Sequence, residues 1–108
     1  MLFENLVINE LMKERINLGK VPDLFYYRDK SQREIDVVRM KSNLLEAYEI
    51  KSGMSFNPEF FKHLTYFKEL LKDRVVRTAV IYNGEQEIQS ADKGLFNFRN
   101  FRLNDESL

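Results

Sequence analysis

Between Glu34 and Gly53 the chain has room for two short strands and one tight turn, and each strand carries an acid where a sheet ordinarily buries an apolar group. Asp36 lies in Glu34-Ile35-Asp36-Val37-Val38, and Glu49 lies in Ala47-Tyr48-Glu49-Ile50-Lys51. Ser42-Asn43, or the four residues around that pair, supplies the turn, because Ser and Asn favour turn geometry. Either even-length loop sets Asp36 directly against Glu49, with Cβ atoms roughly 4.5–5.5 Å apart. An odd-length loop without a bulge breaks that register. Alternation along a strand puts Glu49 and Lys51 on one face. Two carboxylates facing each other repel unless a positive charge lies between them. A divalent cation held by Asp36 and Glu49, with Lys51 beside it, is the simplest arrangement that removes the conflict.

The 108 residues suffice for one domain, 1–108, with a real core. Apolar residues make up 44% and charged residues 31%, the balance of a globular protein rather than a membrane or disordered one. No apolar run reaches the roughly 20 residues that cross a bilayer. Glu4 and Glu10 interrupt the N-terminal apolar residues, so no signal peptide is expected and a cytoplasmic location is. The chain has no cysteine, which removes disulfides and thiolate metal sites. Seventeen basic residues offset 17 acidic ones. That neutral balance argues against tight, unassisted, non-specific binding to nucleic acid, although a local stripe of Lys and Arg can still contact it.

Taken in order, residues Leu2 to Ile16 read as a helix whose apolar face is Phe3, Leu6, Val7 and Leu11. Glu10 falls inside that face and Glu14 near its edge. An acid in an apolar stripe is costly to bury unless paired or bound to metal, so Glu10 either escapes to solvent or joins the strand acids. Gly19 and Pro22 end the helix. Strands are expected over 24–28, 34–40 and 44–51, and Asn57-Pro58 starts a second helix, with Asn as cap, that ends near Asp73. Phe60, Leu64, Phe67 and Leu71 form its core stripe. A fourth strand runs from Val75 to Tyr82. A polar connection over 85–93 leads to a final edge strand within 95–103, and the tail 104–108 is expected to fray. The result is an α/β (α+β mixed sheet) fold: a three-stranded meander, a crossover helix and a fourth strand, with a helix on each face.

This layout resembles the PD-(D/E)XK nuclease-like superfamily, through an acid on the first helix, Asp36 on the second strand and Glu49-x-Lys51 on the third. The spacing is similar to that of small archaeal-type Holliday-junction resolvases. Leu2-Phe3-Glu4-Asn5, Tyr27-Arg28-Asp29, Glu34-Ile35-Asp36 and Glu49-Ile50-Lys51-Ser52-Gly53 also resemble a bacterial and archaeal domain of unknown function, over nearly the whole chain. That domain is usually fused behind an AAA-type ATPase module, which implies that the chain is the C-terminal part of a longer protein. The superfamily's proline before the strand-two acid is Ile35 here. Pro22-Asp23 precedes the first strand and reads as a turn.

The resemblance implies a restriction-endonuclease-like αβββαβ core and a magnesium- or manganese-dependent nuclease acting on DNA, with Glu10, Asp36, Glu49 and Lys51 as catalytic residues. Asp36, Glu49 and the carbonyl of Ile50 would be the metal ligands. Oxygen donors without cysteine favour magnesium over zinc. The alternatives are a non-catalytic accessory or DNA/protein-binding domain of an AAA-type ATPase and a homodimerising module without ligand. The remaining chemistry-bearing residues read as structural. His63, the sole histidine, cannot build a zinc site alone. Tyr26, Tyr27 and Phe56 could stack on bases, with packing as the competing role. Lys62, Lys68, Lys72 and Arg74 form a solvated helix face.

Overall fold

Two α-helices and six strands occupy the residues that the computed structural model describes, 2–17, 19, 23–90 and 93–103. Helix α1 spans Leu2–Asn17. Gly19 stops it, at a φ of 74° and with its N–H donated to the Ile16 carbonyl at 2.9 Å, a left-handed ending that glycine adopts without steric cost. Pro22, expected to reinforce the stop, lies outside the described residues, as does the tail 104–108.

Strands β1 (Leu24–Arg28), β2 (Glu34–Lys41) and β3 (Leu44–Lys51) form an antiparallel meander. Asn57 caps the next segment by accepting the Glu59 N–H at 2.9 Å, and Pro58 opens it. The first turn is a tighter 3-10 helix through Phe61, and α2 proper spans Lys62–Leu71. This helix carries the chain over to β4 (Val75–Tyr82), which pairs parallel to β3. The order across the mixed sheet is β1-β2-β3-β4-β6-β5, where β5 is Ile88–Gln89 and β6 is Lys93–Asn97.

The end of the sheet departs from the sequence reading. The last strand was expected at an edge, within 95–103. Instead β6 lies inside, parallel to β4, and the two-residue β5 forms the edge. The strand ends early because Asn97 folds into a turn, with the Asn100 N–H on its carbonyl and the Arg99 N–H on its side chain, both at 2.9 Å. Phe101 and Leu103 then serve the core from a non-strand segment. Phe101 meets Tyr48 and Phe96 edge-on, at centroid separations of 4.9 and 5.5 Å.

Each helix covers one face. Phe61, Leu64 and Phe67 pack with Ile35, Val38, Leu45, Ala47, Val80 and Tyr82 on the α2 side. Val7 and Leu11 pack with Val37, Tyr48, Ile50, Ala79 and Ile81 on the α1 side. Ile35 and Val37, two apart on β2, therefore enter opposite cores, which a regular strand forbids. The β1–β2 register supplies the reason. Phe25 pairs with Val38 and Tyr27 with Ile35, so Tyr26 alone stands against Asp36 and Val37. This is a β-bulge, and it re-aims Asp36.

Candidate functional site

The β2–β3 turn is Ser42-Asn43, closed by the pair Lys41↔Leu44, with Ser42 at a φ of 61°. The register running back from that turn ends at Val37↔Tyr48, and Asp36 and Glu49 are the next residues on the two strands. Asp36 lies within hydrogen-bonding reach of Glu49, and its Oδ2 also accepts the Ile50 N–H at 2.8 Å. Glu49 is only 4% exposed, and its Oε2 is buried without a hydrogen-bond partner. Burial first, and then repulsion from Asp36, push the Glu49 carboxyl up to about 8. Lys51 opposes that rise: its Nζ is 3.7 Å from Glu49 Oε1, on the shared face that alternation required. The lysine side chain remains 38% exposed, and its ammonium lies 5.7 Å from the centre of the Phe60 ring.

The sequence reading assigned Ile50 a carbonyl ligand, which remains a proposed donor. The contact that the structure gives it at this spot is an N–H donated to Asp36.

Glu10 does not join the cluster. Its side chain is 60% exposed, pairs with Lys13 at 3.5 Å and borders an open groove between α1 and residues 98–102. The buried stripe of α1 is Val7, Leu11 and Arg15, spaced by four, and Leu6, expected in the stripe, is 46% exposed. Glu10 thus lies beside the stripe and its charge reaches water.

The helix acid beside Asp36 is Glu4, near enough for the Asp36 charge to act on it. Burial, followed by the Asp36 charge, holds its carboxyl above the usual range, with Glu34 adding a smaller push. Glu4 belongs to the Leu2-Phe3-Glu4-Asn5 stretch, and that was the available signal. Looking for an acid inside the apolar stripe selects Glu10 instead, because the stripe says nothing about which turn of the helix reaches the open end of β2.

The remaining candidates fall into structural roles. Asp23 grips the buried Arg15 with both carboxylate oxygens, at 3.0 and 2.8 Å, and lies 3.8 Å from Arg39. A ring nitrogen of His63 hydrogen-bonds with the Glu34 carbonyl at 3.0 Å. Tyr27 packs edge-on against Phe67 at 5.0 Å, and Phe56 lies against Phe60 and Phe61. Lys68 and Arg74 brace the carbonyls of Val75 and Asn43, while Lys62 and Lys72 face solvent.

Asp36 and Glu49 offer two adjacent carboxylates, one with a buried oxygen awaiting a partner. Among the described residues, no three histidine, cysteine or carboxylate side chains are disposed to hold an ion by themselves. A two-carboxylate site suits magnesium, which keeps several waters and commonly takes only one or two carboxylates together with substrate phosphate.

No helix of the described residues is long and apolar enough to cross a membrane. The sequence model of one family, "Domain of unknown function (DUF4143)", matches residues 1–101. No curated protein and no solved structure matches the chain.

Proposed function

The chain belongs to the DUF4143 family, and from that premise we propose that it is a magnesium- or manganese-dependent nuclease-like domain hydrolysing DNA phosphodiester bonds, on a restriction-endonuclease-like core of the PD-(D/E)XK type. The observation that carries the reading is Glu49: a carboxylate 4% exposed, with one oxygen unpartnered, facing a second carboxylate and flanked by an ammonium. A fold that needed only a sheet would place an apolar residue there, since an unpartnered buried carboxylate is among the costliest groups to bury.

Asp36 and Glu49 are the residues that would hold the cation. When bound, it supplies a Lewis acid for the phosphate oxygens and acidifies a water molecule. Lys51 presents its charge from the exposed edge of the cluster, where it can offset negative charge gathering on a scissile phosphate. Glu4 acts on Asp36 rather than on substrate: it stands beside the Asp36 carboxylate on the helix side. The Ile50 N–H fixes the same carboxylate from the strand side. With both partners in place, Asp36 is oriented before any ligand arrives.

The test incubates purified protein with branched, single-stranded and duplex DNA in magnesium or manganese, beside Asp36→Ala and Lys51→Ala. Cation-dependent cutting that both variants lose is the expected result. Cutting unchanged in both variants overturns the reading. No cutting, combined with magnesium-independent binding of DNA or of an AAA-type ATPase module, replaces it with an accessory role.

A further inference from the structure

Glu49 and Lys51 open on the α2 side of the sheet. They follow Ala47 by alternation and pair with Val80 and Tyr82, and all three of those residues belong to the core under α2. On the same side, one flank of the second helical segment carries a row of half-buried rings three residues apart: Phe60, His63 and Tyr66. Each ring has its own contact with the end of the sheet where Asp36 and Glu49 lie. The Lys51 ammonium is 5.7 Å from the centre of Phe60, and His63 Nδ1 bonds with the Glu34 carbonyl at 3.0 Å. The Arg33 guanidinium lies over Tyr66, 3.9 Å from its centre. Because a carbonyl only accepts, His63 is the donor, and its bond pins the middle of the row to the start of β2.

Lys51 and Arg33 are thus cations seated at the two ends of one row. Six residues separate Phe60 from Tyr66, about 9 Å at 1.5 Å per residue. A DNA strand carries one charge about every 3.4 Å of helix axis, so the two cations suit phosphates two or three apart. The Arg33 side chain makes no hydrogen bond among the described residues, and stacking on a ring leaves its planar fork of N–H donors able to grip an anion. The acids beside it are turned to other donors. Asp29 Oδ1 accepts the backbone N–H groups of Ser31 and Arg33, at 2.9 and 3.1 Å, and tempers the arginine charge without pairing with it. Glu34 directs its carboxylate to the Tyr26 phenol. In a chain of zero net charge, a local stripe of this kind is what can hold a polyanion.

Resting on the reading of Asp36 and Glu49 as a nuclease-like site, we infer that Arg33, seated on Tyr66, binds a backbone phosphate of the same DNA strand, two or three along from the phosphate that Lys51 meets. Arg33 is a positioning residue that sets the line of the strand along α2, and it takes no part in the bond cleavage.

The experiment measures binding of a fluorescent DNA oligonucleotide, single-stranded and as the matching duplex, in calcium over a series of salt concentrations. The proteins are the wild type, Arg33→Gln, Arg33→Lys and, as a control on α1, Lys13→Gln. On the DNA form that the wild type binds more tightly, Arg33→Gln is expected to lose about threefold or more at low salt. Its slope of log affinity against log salt should fall by about 0.7–0.9, the signature of one lost phosphate contact. Arg33→Lys keeps the charge and therefore the slope, and Lys13→Gln matches the wild type. An unchanged slope in a folded Arg33→Gln protein overturns the inference, as does an equal loss in Lys13→Gln or no DNA binding by the wild type. Because the readout is binding, it separates from the proposed cleavage. A protein that cuts DNA but binds it independently of Arg33 sinks this inference alone. One that binds DNA through Arg33 yet never cuts sinks the nuclease reading alone.

Discussion

The Asp36 carboxylate accepts the Ile50 N–H at 2.8 Å, a donor that a regular antiparallel ladder would hand to a backbone carbonyl. The β2–β3 pairing runs from Lys41↔Leu44 as far as Val37↔Tyr48, and Asp36 comes next. A side chain thus supplies the acceptor where the β1–β2 bulge distorts the strand. The same atom group faces the acids Glu49 and Glu4, so Asp36 combines a stabilising contact with a repulsive one.

Asparagine at position 36 separates those two contacts. Asp36→Asn keeps an oxygen for the Ile50 N–H and removes the charge facing Glu49, whereas Asp36→Ala removes both. In urea unfolding at pH 8 without divalent ions, Asp36→Asn is expected to equal or exceed the wild type, and Asp36→Ala to fall below Asp36→Asn by about 1–2 kcal/mol. Equal stability of the two variants would mean that the hydrogen bond contributes nothing net.

The pH dependence of stability follows from Glu49. Its folded carboxyl titrates near 8, raised by burial and by Asp36 from an ordinary value of 4.5. Between those values the folded protein holds a proton that the unfolded chain has released, so stability falls as pH rises. The contribution is fully present below about 4.5 and gone above about 8, and amounts to a few kcal/mol in order of magnitude. Glu49→Gln removes the titration. Urea midpoints taken from pH 5 to 9 should decline in the wild type and stay flatter in the variant, which becomes the more stable protein at pH 8.

The same linkage makes magnesium and protons competitors. A cation on the Asp36–Glu49 pair needs both carboxylates ionised, so binding at pH 7 should release close to one proton, and at pH 9 almost none. Calorimetric titration in buffers of different ionisation enthalpy reads that number directly. Proton release that does not change with pH would place the cation elsewhere.

Much of this arrangement was legible in the sequence, for local reasons. Alternation and the Ser42-Asn43 turn set Asp36 against Glu49, and Glu49-Ile50-Lys51 placed the lysine on the glutamate's face. Asn57-Pro58 marked the second helix start. What local rules could not give was the choice between Glu4 and Glu10, because that depends on how far α1 slides along the sheet, a matter of Val7 and Leu11 packing under Ile50 and Ile81. The bulge at Asp36 was equally hidden: it is defined by the partner strand, and Ile35-Asp36-Val37 alone looks regular. The interior place of β6 escaped because Phe96, Phe98 and Phe101 read as one strand, although the backbone turns at Asn97 and delivers Phe101 from a loop.

Glu4 and Glu10 give opposite outcomes when neutralised. Glu4→Ala removes the side chain beside Asp36 and is expected to lower magnesium-dependent cleavage or magnesium affinity by about 10- to 100-fold, whereas Glu4→Gln, whose amide can donate to Asp36, should lose less. Glu10→Gln removes only an exposed pair with Lys13, and should change stability by no more than about 0.5 kcal/mol and cleavage not at all. The reverse ranking would restore Glu10 to the site and remove Glu4 from it.

The far end of the same strands carries a second buried polar group that tests the fold apart from any chemistry. Glu46 Oε1 accepts from Arg39 Nη1 at 3.2 Å and from the Tyr48 hydroxyl at 2.6 Å, and all three residues are buried. Arg39 also donates to the Leu103 carbonyl at 3.1 Å, and the Leu103 N–H donates to Glu14, so this network ties the chain after β6 to α1 and to the meander. Removing Glu46 leaves a guanidinium and a phenol without their shared acceptor in a place water does not reach. Breaking one side of a buried pair typically costs about 3–5 kcal/mol, and the lower figure applies here because Asp23 remains 3.8 Å from Arg39. Glu46→Ala should therefore lose about 3 kcal/mol in urea unfolding. The double variant Arg39→Met with Glu46→Met, which removes both charges and refills the volume, should recover most of that loss. The site around Asp36 lies at the other end of β2, so magnesium affinity measured on folded double variant should match the wild type. A double variant no more stable than Glu46→Ala would show that the ion pair itself, rather than the cost of stranding one partner, holds the 98–103 segment in place.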